Sequence, residues 1–518
     1  MKRFISEKRY SVILSVAITV LLYYSHAMST NIGIDAEQFI GGDYGKEWLL
    51  NGLGRFGFYY SSRLINIGGY NVYLNGLLFL MFFSAATVIW CYVLEKFSGG
   101  WNGPLYPLFS AIFVSYPIWM NQFYFSHQQA SMTIALFLQS ISFALLFDVL
   151  ESRCKSKTVV VKVVISVLFA VWAFGTYQSF AGMHLACAAA CLMLYLDVLA
   201  EKTEDHKEVH KAFWKAVLIF AIHFIVSFII YEVILKVFNW GSSDYLSFGW
   251  ETQPFSKVVR RIFRDLQRAL LGQRTYSGYI LLAGLVVIMF IRIVDIVRGE
   301  CKFKGAALVD YFLILVGNLL AMISLNIVTG NIPATRARFM VAFTTAFIGT
   351  YAVNLAYEKR EQLIGKCSFS VLVVVVCISL FMQVGKLQKL IYTNDVCNSQ
   401  QYEVGSDLVS LIKYRGGCEN PMPTFFIGRW EAPLNAACEK SAQIGESSFA
   451  YRYDESDKTS GSRRSALYLN AAFGTEFINV EDEAMKARAV EIGTTLDMYP
   501  SDGCVYVGDD IIVVKLSE

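Results

Sequence analysis

Eleven apolar runs recur along this chain, and a polypeptide built that way has few stable folds in water. They fall at roughly 10–28, 72–94, 104–120, 129–149, 158–174, 179–199, 213–238, 277–297, 307–328, 338–357 and 367–386. A helix that crosses a bilayer needs about 20 mostly apolar residues. The third and fifth runs are the shortest or most interrupted; the others meet the length. Only 17% of the 518 residues are charged, against about 25% in soluble domains, and 55% are hydrophobic. The expected fold is a polytopic α-helical membrane body of about eleven spans over residues 1–390, followed by a soluble mixed α/β domain over 391–518.

Lys and Arg in short loops set orientation. Lys2, Arg3, Lys8 and Arg9 place the N-terminus in the cytoplasm. Every second loop is then cytoplasmic, and those loops carry Lys96; Arg153, Lys155 and Lys157; Lys202, Lys207 and Lys211; Arg298, Lys302 and Lys304; Lys359, Arg360 and Lys366. The short loops 121–128 and 175–178, on the opposite side, have no Lys or Arg. The N-terminal run lacks a small-x-small cleavage site, so it is expected to be retained as the first span.

An odd number of spans places the tail outside the cytoplasm. Its strand-like runs are "TFFIGRW" and "DDIIVVKL", and "RYDESDKTSGSRRSALYLN" is expected to contain a polar surface loop. Cys397, Cys418, Cys438 and Cys504 form an even set, so two disulfides are expected there, with three pairings open. Trp430, Tyr451, Tyr453 and Tyr468 are either a carbohydrate platform or ordinary core aromatics.

Four loops on that same outer side carry candidate chemistry. The first, 29–71, begins "STNIGIDAEQFIGGDYGKEW" and sets Asp35, Glu37, Asp43 and Glu47 within thirteen positions. An extended backbone points residues two apart the same way, so Asp35 and Glu37 can act together. Carboxylates among apolar residues hold protons more tightly and make competent general bases. The alternative is a solvated acidic loop. The rest, "EWLLNGLGRFGFYYSSRLI", containing Arg55, is expected to lie on the membrane with Trp48, Phe56, Phe58, Tyr59 and Tyr60 as interfacial anchors.

The second loop contains an amphipathic helix at about 253–272. Phe255, Val258, Val259, Ile262, Phe263, Leu266, Ala269 and Leu270 share one face; Lys257, Arg260, Arg261, Arg264 and Arg268 occupy the flank and back. Its cations suit anionic headgroups or a bound lipid phosphate. The third, "VTGNIPATRARFM", offers Arg336 and Arg338, whose planar forks match phosphate. The fourth, "YPIWMNQFYFSHQQAS", sets His127, Gln128 and Gln129 among aromatics, with Tyr177 and Gln178 on the same side. Amides and aromatic faces suit a sugar, although a lone His in such a loop also serves simply as a hydrogen-bonding residue.

No phosphate-loop, GxSxG, HExxH or dinucleotide fingerprint occurs. Soluble nucleotide cofactors, a metal and nucleic-acid partners are therefore not expected. A lipid-linked donor is within reach of residues that face outward.

The segments "IGIDAEQFIGGDYGKEWLLNGLGRFGFYY" and "VTGNIPATRARFM", in that order and on one side, make residues 5 to 390 resemble the Gtr-type (type II) glucosyl transferases of bacterial O-antigen, of the GT-C class. The resemblance implies an inverting enzyme of the bacterial inner membrane. It would move glucose from a polyprenyl-phosphate carrier to a hydroxyl of a surface polysaccharide on the outer face. It also implies that the first-loop acid is the base: Asp35, with Glu37 as alternative or partner, since Ala36 separates two acids that are adjacent in many members. Arg336 and Arg338 become the first choice for the donor phosphate, with Arg260, Arg261, Arg264 and Lys257 second. Asp43, Glu47, Arg55, His127, Gln128, Tyr177 and Gln178 become substrate contacts. A transporter, flippase or polymerase for lipid-linked sugars is the alternative, but the halves of the chain show no internal repeat and acids near mid-span are scarce.

Overall fold

In the computed structural model, which describes residues 1–43, 45–151, 157–241, 249–273, 276–418, 421–451 and 461–518, the apolar runs are helical. A helix satisfies every backbone group within its own segment, which a bilayer requires. Arg153, Lys155 and Tyr453 lie outside the described residues. Among those described, nine helices are long and apolar enough to cross a membrane: Arg9–Ala27, Val72–Ser98, Gln129–Leu150, Lys157–Thr176, Ser179–Lys202, His206–Phe238, Ile280–Arg298, Met340–Glu358 and Leu363–Tyr414.

Two of the eleven expected spans are shorter. The run at 104–120 forms only Leu105–Val114, because Pro117 cannot continue the helix and a second one restarts at Ile118. The run at 307–328 is divided into Ala306–Met322 and Ser324–Thr329. Outward faces are apolar: Leu21, Val297 and Phe381 are 80–82% exposed, as lipid-facing side chains would be.

Met340–Glu358 is buried along almost its whole length and forms the axis of the bundle. Phe343 packs against Trp90 and Phe109, with ring centroids 4.9 and 5.6 Å apart. The first helix lies close against Val72–Ser98; a Cβ on Gly76 would meet the Ala27 carbonyl oxygen at 1.8 Å. Tyr23 donates to the Val114 carbonyl at 2.9 Å, which orients the end of the first helix and hence the acid loop that follows it.

Leu363–Tyr414 runs unbroken through the expected domain boundary at 390. Its 52 residues make it about 78 Å long. Its early turns belong to the bundle. Its last turns place Val404, Leu408, Val409 and Ile412 in the core of the tail domain. The tail sheet contains β1 (Met422–Ile427), β2 (Phe477–Asn479), β3 (Val505–Val507) and β4 (Ile512–Lys515) in the order β2-β1-β4-β3. β1 runs parallel to β2 and β4, and β3 is antiparallel to β4. Phe426, Ile512 and Val514 enter one buried cluster while Phe425, Ile511 and Val513 enter another. Burial on both faces explains why "DDIIVVKL" reads as a continuous apolar run.

Two expectations are corrected here, and the open choice for Tyr468 is decided. Cys397, Cys418, Cys438 and Cys504 are free thiols, and no disulfide joins them. Cys504 is instead fully buried in the sheet core as a small apolar group. Tyr468 is buried against Phe449, ring centroids 5.4 Å apart, so it is core rather than carbohydrate platform. In the first loop, Trp48 and Tyr60 are exposed, but Phe56 and Phe58 turn inward: Phe56 stacks on Trp240 and Phe58 meets Phe39.

Candidate functional site

The acid loop leaves the first helix at Met28 and turns beneath residues 121–128. Gly33 is required for this turn, because a Cβ there would stand 2.7 Å from the Tyr124 carbonyl oxygen. Asp35 then adopts a left-handed backbone, φ 73°, and starts the short helix Ala36–Ile40. That conformation costs a non-glycine residue about 1–2 kcal/mol, and it persists where the surroundings over-determine it.

A cation from the far end of the chain supplies those surroundings. Arg464 donates through Nη2 to Asp35 Oδ1 at 2.9 Å and through Nη1 to Glu37 Oε1. Arg464 and Glu37 are fully buried, whereas the Asp35 side chain is 43% exposed. Glu37 Oε2 has no hydrogen-bond partner among the described residues. Burial pushes the Glu37 carboxyl up to about 7; Arg464 pulls against this and Asp35 adds to it. The Arg464 guanidinium also lies 4.6 Å from the Tyr451 ring centroid.

His127 completes the floor of the site. Its ring packs on Phe39 at 4.5 Å and Phe58 at 5.9 Å, and Nε2 accepts from Gln128 Nε2 at 3.3 Å. Burial pushes its imidazole down to about 4 against the pull of Asp35, so the ring is neutral at pH 7. Beside it Arg55 covers the Tyr177 ring at 4.4 Å, and Gln178 donates to the Leu53 carbonyl at 2.6 Å. Asp43 and Glu47 stand apart from the Arg464 contact. Both are exposed, Asp43 accepting from the Gly45 amide and Glu47 from Asn51.

The late arginines are reached through the same loop. Arg336 lies 5.0 Å over Phe125, whose ring is 6.2 Å from His127, and donates to Gln443 Oε1 at 3.3 Å. The acid loop and the Arg336 loop are therefore on one end of the bundle, joined by residues 125–127. Arg338 differs. It is buried, faces Asp265 at 3.3 Å, and donates to the Tyr276 hydroxyl at 2.8 Å and to Thr335 at 3.1 Å. Asn326 and Tyr276 also donate to Asp265 Oδ2, each at 2.8 Å. This network ties the amphipathic helix, Phe255–Leu270, to the Arg336 loop, so Arg338 is committed to holding the loop rather than open to a ligand. On that helix Lys257, Arg260 and Arg264 are exposed beside the exposed Phe255 and Phe263, while Arg261 donates to Asn331 at 2.7 Å.

Residues 25–353 match the glucosyl transferase GtrII family, well over half of the chain. The chain belongs to the glucosyl transferase GtrII family. No curated protein and no solved structure matches it. The GtrII match contains the acid loop, His127, the amphipathic helix and Arg336; Arg464 lies beyond it.

Arg464 escaped the sequence reading because it sits in a stretch expected to be surface loop. The only local signal was "RRSALYLN", whose Ala466 and Leu469 spacing is that of a helix packed on a sheet. That helix, Ser462–Phe473, is fixed by the Phe426 amide donating to Ser462 at 2.9 Å and by paired bonds between Asn470 and Phe477. Nothing local links it to residues 429 positions earlier. A cavity of about 220 Å³ lies beside Gln443, lined by Arg429, Glu431, Lys440, Glu446 and Ser447 among others. A larger one, about 350 Å³, lies at the opposite end of the bundle among Asp197, Glu201, Arg292, Lys302 and Tyr351. Its cations are matched internally, Arg292 to Asp197 at 3.3 Å and Lys302 to Asp197 and Glu201 at 3.0 and 2.9 Å.

Proposed function

We propose that this GtrII-family chain is an inverting hexosyltransferase that takes glucose from a polyprenyl-phosphate carrier and passes it to a hydroxyl of a cell-surface polysaccharide. The reaction would take place on the extracytoplasmic face of the inner membrane. The observation that carries the proposal is that Asp35 and Glu37 stand at the same end of an apolar helix bundle as Arg336, linked to it through His127 and Phe125. An acid near a cation, both within reach of a lipid tail, is the minimum set for this chemistry.

Asp35 is the base. Its partial exposure leaves room for a hydroxyl, and Arg464 occupies Oδ1, leaving Oδ2 for the acceptor. As the acceptor oxygen forms its bond to the sugar C1, its proton passes to Asp35. The C1–O bond to the phosphate breaks, and its electron pair leaves with the phosphate. Charge grows on that phosphate in the transition state, where a fixed cation has most effect. Arg336 serves there, with Lys257, Arg260 and Arg264 steering the anionic carrier to the interface. A phosphomonoester leaves with less charge than a pyrophosphate, so protein cations suffice without a metal. Neutral His127 with Gln128, and Arg55 with Tyr177 and Gln178, line the sugar, while Asp43 and Glu47 meet the acceptor only at the rim. The cavity beside Gln443 would take acceptor residues beyond the one that reacts.

The test is transfer by purified protein in detergent, without vesicles, from a polyprenyl-phosphate hexose to a polysaccharide acceptor. Asp35→Asn is expected to lower turnover at least about 100-fold with folding retained. Full activity in that variant rejects the assignment, and a requirement for closed vesicles points to transport instead.

A further inference from the structure

The buried contact between Arg464 and the acid loop has no place in the match to the family, and it crosses the whole chain. We infer that Arg464 is a positioning residue of the transfer reaction: the tail domain reaches over the acid loop and sets the geometry of both carboxylates through one two-armed guanidinium. The inference rests on the reading of Asp35 and Glu37 as the reacting centre.

Three observations carry it. First, each arm of the guanidinium serves a different carboxylate, so the fork fixes the separation and direction of Asp35 and Glu37 together. A lysine, a point charge on a flexible stem, could not do this. Second, Arg464 is 1% exposed, and a buried cation is retained only where it is paired and hydrogen-bonded. Third, the arginine is itself held rigidly, on a helix pinned to β1 by Ser462 and to β2 by Asn470, with Tyr451 across its face. The unbroken helix Leu363–Tyr414 passes from the bundle into the same tail core, so the tail is rigidly connected to the bundle that carries the acid loop. Asn31 bonds Asp395 on that helix at 2.6 Å, a second tie between the loop and the tail side.

The charges around Glu37 define what removing Arg464 does. Arg464 faces it from the tail helix, Asp35 from its own loop and Tyr124 from the neighbouring loop, with Arg55 and His127 behind and Glu446 beyond Tyr124. Arg464 is the cation that lowers the proton affinity of Glu37. Without it Glu37 keeps its proton to higher pH, and Asp35 loses the contact that holds its left-handed turn.

The experiment compares Arg464→Met and Arg464→Lys with wild type in full-length protein, measuring kcat against pH and thermal unfolding in detergent. Arg464→Met is expected to lose about 100-fold in kcat, the effect of a base displaced by roughly 1 Å. Because the fork holds both carboxylates ionised in the active form, the acid limb of this variant should follow Glu37 and move up by at least about one pH unit. Arg464→Lys is expected to restore the wild-type acid limb while recovering only part of kcat, because charge returns without the fork. A folded Arg464→Met with wild-type kcat and an unmoved acid limb overturns the inference. If Arg464→Met does not fold, Arg464→Lys decides: reduced kcat with an unmoved limb supports the inference, and unchanged kcat overturns it. An inactive Asp35→Asn beside a fully active Arg464→Met removes the inference alone; a fully active Asp35→Asn removes the proposed function, and the inference with it.

Discussion

The two ends of the helix bundle each hold a charge cluster, and the clusters differ in how many cations serve their acids. At one end Arg292 faces Asp197 and Asp295, Lys302 faces Asp197 and Glu201, and Lys359 faces Asp295 and Glu300. Tyr351 adds a hydroxyl donated to Asp197 at 2.6 Å. Each cation there has two acidic partners, and adjacent helices supply most of them. At the other end Arg464 spans two carboxylates from a loop, one of which is half-exposed and the other of which keeps an oxygen unbonded among the described residues. A cluster with three cations among four acids locks helix ends. One cation between two acids leaves capacity for a proton and a substrate hydroxyl.

The comparison is broken most directly at the end with three cations. Arg292→Met leaves Asp197 and Asp295 short of a partner, and removing one member of a buried ion cluster costs about 3–5 kcal/mol. A large fall in unfolding temperature is expected, with turnover per folded molecule unchanged. Altered turnover in folded Arg292→Met would mean that the far cluster is coupled to the chemistry.

Glu37→Gln sharpens the other side. The folded-state carboxyl titrates near 7 and the unfolded one near 4.5, so the folded protein holds a proton that the unfolded chain releases first. Wild type should therefore lose stability relative to Glu37→Gln as pH rises from about 4.5 to about 7, by roughly 3 kcal/mol in all. Unfolding curves of the two proteins in detergent across pH 4 to 8 measure it; parallel curves would place the Glu37 carboxyl in the ordinary range.

Smaller effects are expected away from the acids. Arg336→Ala should raise the donor KM about tenfold, the loss of one charge-assisted contact, and leave the acceptor KM in place. A donor titration that does not move removes Arg336 from the phosphate. Replacing Arg429 and Lys440 together by Ala should raise the acceptor KM about threefold, the scale of exposed polar contacts. Each is half-exposed or more and shares Glu431 with the other. No change with a long polysaccharide acceptor would take the cavity beside Gln443 out of the acceptor path.

Much of this architecture was legible in the chain because it rests on local pattern. Apolar runs of span length, the strand runs "TFFIGRW" and "DDIIVVKL", and the helical spacing from Phe255 to Leu270 each express a period that backbone geometry imposes. The short helices at 105–114 and 306–322 misled for a local reason as well, since hydropathy counts residues and does not register where Pro117 or Ile323 interrupts a helix. Asp35, Glu37 and Arg336 stood out because charge next to apolar runs is rare. What pattern did not reveal were pairings. Arg336 and Arg338 look alike two positions apart, yet one lies over Phe125 beside the site and the other is consumed by Asp265.

By itself the sequence determined a membrane-embedded helical body, a mixed tail with two strand-like runs, and the loops that bear acids and cations, since each depends on residues close together along the backbone. Only the tertiary structure decided that Arg464 closes on Asp35 and Glu37, that Asp265 takes Arg338, and that four cysteines stay unpaired. Those outcomes depend on which distant side chains share a buried volume. In that low-dielectric space a charge must find its partner wherever the fold brings one.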